Sequence, residues 1–142
     1  MASRDYLIRQ VEEMGIFLAI LLRRILKLKE ENQQDLMETA VKESLMNELK
    51  LDVEQAVVLN DSDFLDVVKE HFKSESQIEK FAEILMTLGK EIVSAFSLTR
   101  ANYLLKAWLL FNYLQNTTTS FSYERRNKIL EIEELLREKG LI

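Results

Sequence analysis

The chain has a single imidazole, His71, and chemistry is sought first around it. Asp66 and Glu70 precede it on neighbouring turns, and Asp61 and Asp63 lie a little further back. A metal site needs several His, Cys or carboxylate ligands converging on one point. Asp66, Glu70 and His71 stand at i, i+4 and i+5 and cannot surround an ion without further ligands. A helix-end imidazole beside Phe72, favourably placed in the helix dipole, accounts for His71. Asp61, Asp63 and Asp66 suggest a calcium loop, but that loop requires glycine at its sixth position and glutamate at its twelfth. Counted from Asp61, those positions hold Asp66 and Phe72, so helix capping explains the cluster.

Other routes to catalysis close in the same way. The chain contains no cysteine, which removes disulfides, zinc-thiolate sites, iron–sulfur clusters and thiol nucleophiles. Its three glycines, Gly15, Gly89 and Gly140, form no phosphate-binding loop. A Ser-His-Asp triad would have to use His71, and no nucleophile elbow is present. Among 24 acidic residues no acid–base pair stands out. Asn116-Thr117-Thr118 fits a glycosylation acceptor, but no secretory signal brings it to a transferase. Arg23, Arg24, Lys27 and Lys29 form a basic helix end facing Glu30 and Glu31, which favours the dipole without a nucleic-acid partner. No catalytic residue, metal ligand or cofactor is expected.

The elements that would position a site are helices. Proline is absent and glycine scarce, so the residues that make tight β-turns are missing. Leu, Glu, Lys, Ala, Met, Gln and Arg favour helix. With 47% apolar and 30% charged residues, the 142-residue chain has the composition of one folded domain, 1–142. The formal net charge of −5 argues against a duplex or an anionic membrane surface as partner. The uncharged run Met14 to Leu22 is too short to span a bilayer. Acids before it and arginines after it speak against a signal peptide, so a cytoplasmic location is expected.

Seven helical segments follow from start and stop signals. The first, within 1–30, takes Ser3 as N-cap and carries Leu7, Val11, Met14, Leu18, Leu21, Ile25 and Leu28 at alternating spacings of four and three. Ile8, Ile16, Phe17, Ile20, Leu22 and Leu26 add apolar surface beyond this seam. A second helix is amphipathic from about Gln33 to Leu49. Asp52 with Gln55 caps a short third helix that Asn60 ends, and the run Asn60-Asp61-Ser62-Asp63 is the turn and cap that starts a fourth on Phe64, Leu65, Val68 and Phe72. Ser76 with Glu79 reads as the capping box of the fifth, which carries Ile78, Phe81, Leu85, Leu88 and Ile92. Ser97 caps the sixth, which is apolar almost all round from Ala101 to Leu114 and belongs at the centre of a bundle. Ser122 caps the seventh, closed by Gly140.

With Gly89 at the eighth position of a ~34-residue tetratricopeptide unit, Leu85, Leu88, Ile92, Ala101 and Leu105 fall on its signature positions. Trp108 stands where that unit takes a small residue, and one repeat earlier Glu54 and Gln55 replace the Leu-Gly pair. Residues 76–138 therefore read as one helical hairpin plus a capping helix from Tyr123 to Glu138. Generic antiparallel packing explains the pattern equally well.

Two stretches, Asp5-Tyr6-Leu7-Ile8-Arg9-Gln10-Val11-Glu12 and Phe121-Ser122-Tyr123-Glu124-Arg125-Arg126-Asn127-Lys128-Ile129, resemble an uncharacterised family of small bacterial helical proteins with a tetratricopeptide-like part. The resemblance implies a bacterial cytoplasmic protein and supplies no activity or site residue. Read by themselves, Tyr6 and Arg9 sit one turn apart. Arg125 lies at a helix start where its charge is unfavourable and calls for an acidic partner elsewhere.

The expected fold is an all-α irregular bundle of about seven helices. The expected function is that of a non-catalytic interaction or scaffold module, self-associating or binding a protein through Leu18, Leu21, Leu22 and Ile25 of the first helix. The rival is a small-ligand binder or enzyme with a pocket between bundle helices lined by Tyr103, Trp108, Phe111 and Tyr113. Attachment of the first helix to a membrane surface is weakened by Glu12 and Glu13.

Overall fold

The computed structural model describes residues 2–91 and 98–142, the side chains of residues 2 and 3 excepted. Within them the chain is all-α: α1 (Ala2–Glu30), a 3-10 turn (Gln34–Leu36), α2 (Met37–Leu49), α3 (Val53–Ala56), α4 (Asp61–His71), α5 (Glu75–Glu91), α6 (Leu98–Thr117) and α7 (Tyr123–Glu138). The expected cap Ser97 and the apolar Ile92 lie outside the described residues.

Local chemistry accounts for most helix ends. Asp52 accepts from the Gln55 N–H at 3.2 Å and opens α3. The Asn60 side chain accepts from the Asp63 N–H at 2.8 Å, so Asn60 caps α4 as expected, four residues before Phe64, while α3 itself ends at Ala56. Ser122 accepts from the Arg125 N–H at 3.2 Å and opens α7 as expected. At α5 the cap is Ser74, not Ser76. Ser74 Oγ accepts from the Gln77 N–H at 3.2 Å, and Gln77 Oε1 reaches back to the Lys73 N–H at 2.8 Å. Two overlapping Ser-x-x-Glu/Gln signals compete here. Because Phe72 is already extended (φ −118°, ψ 124°), the helix restarts at the earlier one and leaves Glu79 free for a longer-range contact.

Among the described residues, three helices end in a left-handed residue, Asn32 (φ 58°), Lys50 (φ 55°) and Gly140 (φ 73°). At each end a following N–H bonds back to an earlier carbonyl, as in Leu51 to Leu45 at 3.2 Å. Only Gly140 announces its role by residue type.

The buried apolar residues of all seven helices form one contiguous cluster. α5 and α6 make the most intimate pair. A Cβ placed on Gly89 would stand 2.6 Å from Leu104 Cγ and 3.2 Å from its backbone nitrogen, so glycine permits this approach. Beside the pair, Phe81 lies against Phe72 with ring centroids 4.8 Å apart and against Phe64 at 6.4 Å. α6 touches α5, α7 and α4, while α1 lies across α5 and α2.

Polar links tie the layers. The mostly buried Lys106 of α6 bonds Asp61 of α4 at 3.2 Å. Arg125 finds the partner its position requires in Glu79 of α5, at 2.9 Å, and its guanidinium also donates to Gln115 at 2.9 Å. Lys128 pairs with Glu83 and Lys90 with Glu131, so three ion pairs hold α7 over α5.

Candidate functional site

The residues expected to form an association face are core. Leu18, Leu21 and Ile25 are 0%, 3% and 0% exposed, and Leu22 is half-buried. Their stretch of the seam lies on α5 and α2, which cover it from the same polypeptide. That expectation is corrected: none of the three offers surface to a partner.

The expected aromatic pocket does not form either, because its four side chains go to different neighbours. Tyr103 is fully buried, with its hydroxyl donating to Glu38 of α2 at 2.9 Å. Trp108 Nε1 donates to Glu133 of α7 at 3.1 Å. Phe111 is buried under the Lys128 ammonium, 5.7 Å from its ring centroid, and Tyr113 lies 5.0 Å from Lys69 Nζ of α4. A helix apolar all round meets several partners at once, and Tyr113 alone of the four lines the cleft of about 450 Å³ beside Lys69, Phe72 and Thr117.

Around Tyr103 the structure builds a polar knot that sequence reasoning missed. Lys42 lies 3.6 Å from Glu38 and 3.2 Å from Glu54, so α2, α3 and α6 are joined through one tyrosine hydroxyl and three charges. Burial, then the hydrogen bond to Glu38 and the two nearby carboxylates, push the Tyr103 hydroxyl well above the ordinary tyrosine range. Burial opposes the charge on Lys42, but Glu54 and Glu38 outweigh it and hold its pKa above the usual lysine value. The groups satisfy one another.

The chemistry-bearing residues singled out above stay apart. His71 Nδ1 lies 2.9 Å from the Val67 carbonyl of its own helix. Among the described residues no three His, Asp or Glu side chains form a group able to hold a metal ion, and no helix is long and apolar enough to cross a membrane.

What remains is the first half of α1. Among the described residues, seven of the sixteen exposed large apolar side chains lie on this one helix: Tyr6, Leu7, Ile8, Val11, Ile16, Ile20 and Leu26. Leu7 and Val11 continue the seam that buries Leu18, Leu21 and Ile25, yet they are 59% and 36% exposed. Length explains the change. Twenty-nine residues of helix reach about 43 Å, whereas the seventeen of α5 reach about 26 Å and the thirteen of α2 about 20 Å. Each neighbour is shorter than the seam, and residues 4–13 are exposed throughout.

The point of departure is marked by Gln77, 2% exposed, whose Nε2 donates to the Val11 carbonyl at 2.9 Å. Beyond it a cleft of about 300 Å³ opens between the arm and the α4–α5 junction, lined by Leu7, Val11, Met14, His71, Lys73 and Gln77. On the arm itself Tyr6 takes Gln10 rather than Arg9 as its partner, Gln10 Nε2 donating to the phenol oxygen at 3.0 Å. The arm is thus a pre-formed helix presenting a core-type stripe beside an open cleft. Such a surface can bind another amphipathic helix.

Comparison of the chain with known protein families, curated proteins and solved structures finds no match.

Proposed function

We propose that this protein is a non-catalytic interaction module whose binding surface is the projecting arm of α1, residues 4–14, together with the cleft at its base. One observation carries the reading: the heptad stripe that seals the core through Leu18, Leu21 and Ile25 runs on, exposed, through Leu7 and Val11. A helix seam of this kind gains stability only by meeting a second helix. The close α5–α6 approach at Gly89 and the cover of α7 support reading residues 76–138 as a tetratricopeptide-like support for that arm. The bacterial, cytoplasmic setting remains part of the same proposal and rests on the resemblance of the two terminal motifs.

The test is capture from native lysate with the full chain as bait, beside the variant Leu7→Glu/Val11→Glu. Both positions are exposed, so the variant keeps the body folded. A partner retained by the parent chain and lost with the variant is the expected result. Equal capture by both would refute the arm as the binding surface.

A further inference from the structure

One buried side chain ties together two elements far apart in sequence. Gln77 is 2% exposed, and both ends of its amide are engaged: Oε1 accepts from the Lys73 N–H at 2.8 Å and Nε2 donates to the Val11 carbonyl at 2.9 Å. These partners fix the orientation of the amide, since an N–H needs an acceptor and a carbonyl a donor. The first bond belongs, with Ser74, to the cap of α5; the second reaches 66 positions back to α1. Val11 stands one helical turn before Gly15, so its carbonyl also receives the helix's own bond from the Gly15 N–H. Glycine is the poorest helix former after proline, and Gly15 separates the exposed residues 4–13 from the sealed Leu18. The weak point of α1 and its buried polar tie to the body therefore fall on the same turn.

We propose that residues 2–14 form a strap hinged at Gly15 and latched by Gln77, which opens when the Gln77–Val11 bond breaks and does so without unfolding the body. An isolated helix shorter than about 12–15 residues is marginal in water, and residues 2–14 are no longer than that. Residues 4–13 are all exposed, so packing adds little to their helix. Closed, the strap sets Leu7, Val11 and Met14 across the cleft from His71, Lys73 and Gln77; open, it parts the two walls. The latch thus decides whether the binding surface proposed above meets a partner as a fixed helix or as a loose end that orders on contact. That use rests on the interaction reading, whereas the latch itself rests on Gln77 and Gly15. Because the same amide caps α5, the strap and the α4–α5 junction are coupled through one side chain.

Hydrogen exchange on the full chain, read amide by amide by NMR at increasing low urea, tests the device. An opening confined to the strap exposes little surface, so the amides of residues 7–14 should exchange with scant dependence on urea while Leu85 and Leu88 of α5 respond steeply. Strap protection then reports only the interactions that opening breaks. Gln77→Glu keeps an oxygen for the Lys73 N–H, as a capping box does, but turns an acceptor toward the Val11 carbonyl, and should lower strap protection about 10-fold. Should that variant fail to fold, Gln77→Met removes the same donor and is held to the same outcome. Gly15→Ala should raise strap protection about 5-fold. Gly89→Ala, whose strain lies between α5 and α6, should leave it unchanged even where the body is weakened. Strap amides that follow urea as steeply as Leu88 overturn the proposal, as does strap protection indifferent to the Gln77 variant or to Gly15→Ala. Capture of a partner that depends on Leu7 and Val11 without a latch sinks the latch alone; a latch with equal capture by parent and double variant sinks the interaction reading alone.

Discussion

Replacing Gly89 by alanine should destabilise the fold even though alanine is the better helix former. In an open helix interior the exchange stabilises by about 1 kcal/mol, because glycine forfeits more backbone freedom on folding. At Gly89 the new methyl would stand 2.6 Å from Leu104 Cγ, 2.7 Å from Cδ2 and 3.2 Å from the Leu104 nitrogen. Leu104 is 1% exposed, and its Cγ and backbone are not the free end of a flexible chain, so α5 and α6 must separate. Overpacking of this kind costs typically 1–3 kcal/mol, here taken near about 3, and subtracting the propensity gain leaves about 2 kcal/mol of net loss. Gly15 is the internal control: it lies inside α1, and a Cβ there meets nothing within 4 Å. Gly15→Ala should gain up to about 1 kcal/mol. Urea unfolding followed by circular dichroism reads both, and thermal melts should move down by about 6 °C for Gly89→Ala and up by about 2–3 °C for Gly15→Ala. A Gly89→Ala protein as stable as the parent would refute the close approach as drawn. So would simple additivity with Leu104→Ala, since residues in contact should couple.

Two further outcomes follow from burial. Below pH 10 Tyr103 is protonated in both folded and unfolded chains; above it the unfolded tyrosine loses its proton while the buried one keeps it, so stability falls as pH rises through 10. Tyr103→Phe should reduce that alkaline loss in urea midpoints at pH 8 to 11, and an unchanged slope would show that the hydroxyl is not held as described. Leu18→Glu places a carboxylate at a fully buried position and should cost about 4 kcal/mol or more, whereas Leu7→Glu should stay within about 0.5 kcal/mol. Equal stability of the two variants in denaturant would deny that the seam passes from covered to bare between these positions.

Some elements could be read from residue types alone because their determinants are local. Asp52, Ser122 and Gly140 mark helix ends by hydrogen bonding or by backbone freedom, and neither needs distant residues. The Ser76 cap failed because two local signals overlapped and the end of α4 selected Ser74. Arg125 showed in advance that it needed an acid, but Glu79 is 46 positions away and becomes its neighbour only when α7 folds over α5. The aromatic pocket failed for a related reason. Periodicity shows that α6 is apolar on every side, but it does not distribute Tyr103, Trp108, Phe111 and Tyr113 among α2, α4 and α7.

Residue order and type determined the all-helical class, the position of the seam on α1 and the absence of thiol chemistry, since each depends on propensity, spacing or composition within a few turns. The tertiary structure alone decided which part of that seam is sealed. A heptad stripe records which way a helix must face, and carries no measure of how far its neighbours extend. Because α5 and α2 are shorter than α1, Leu18, Leu21 and Ile25 became interior while Leu7 and Val11 were left at the surface.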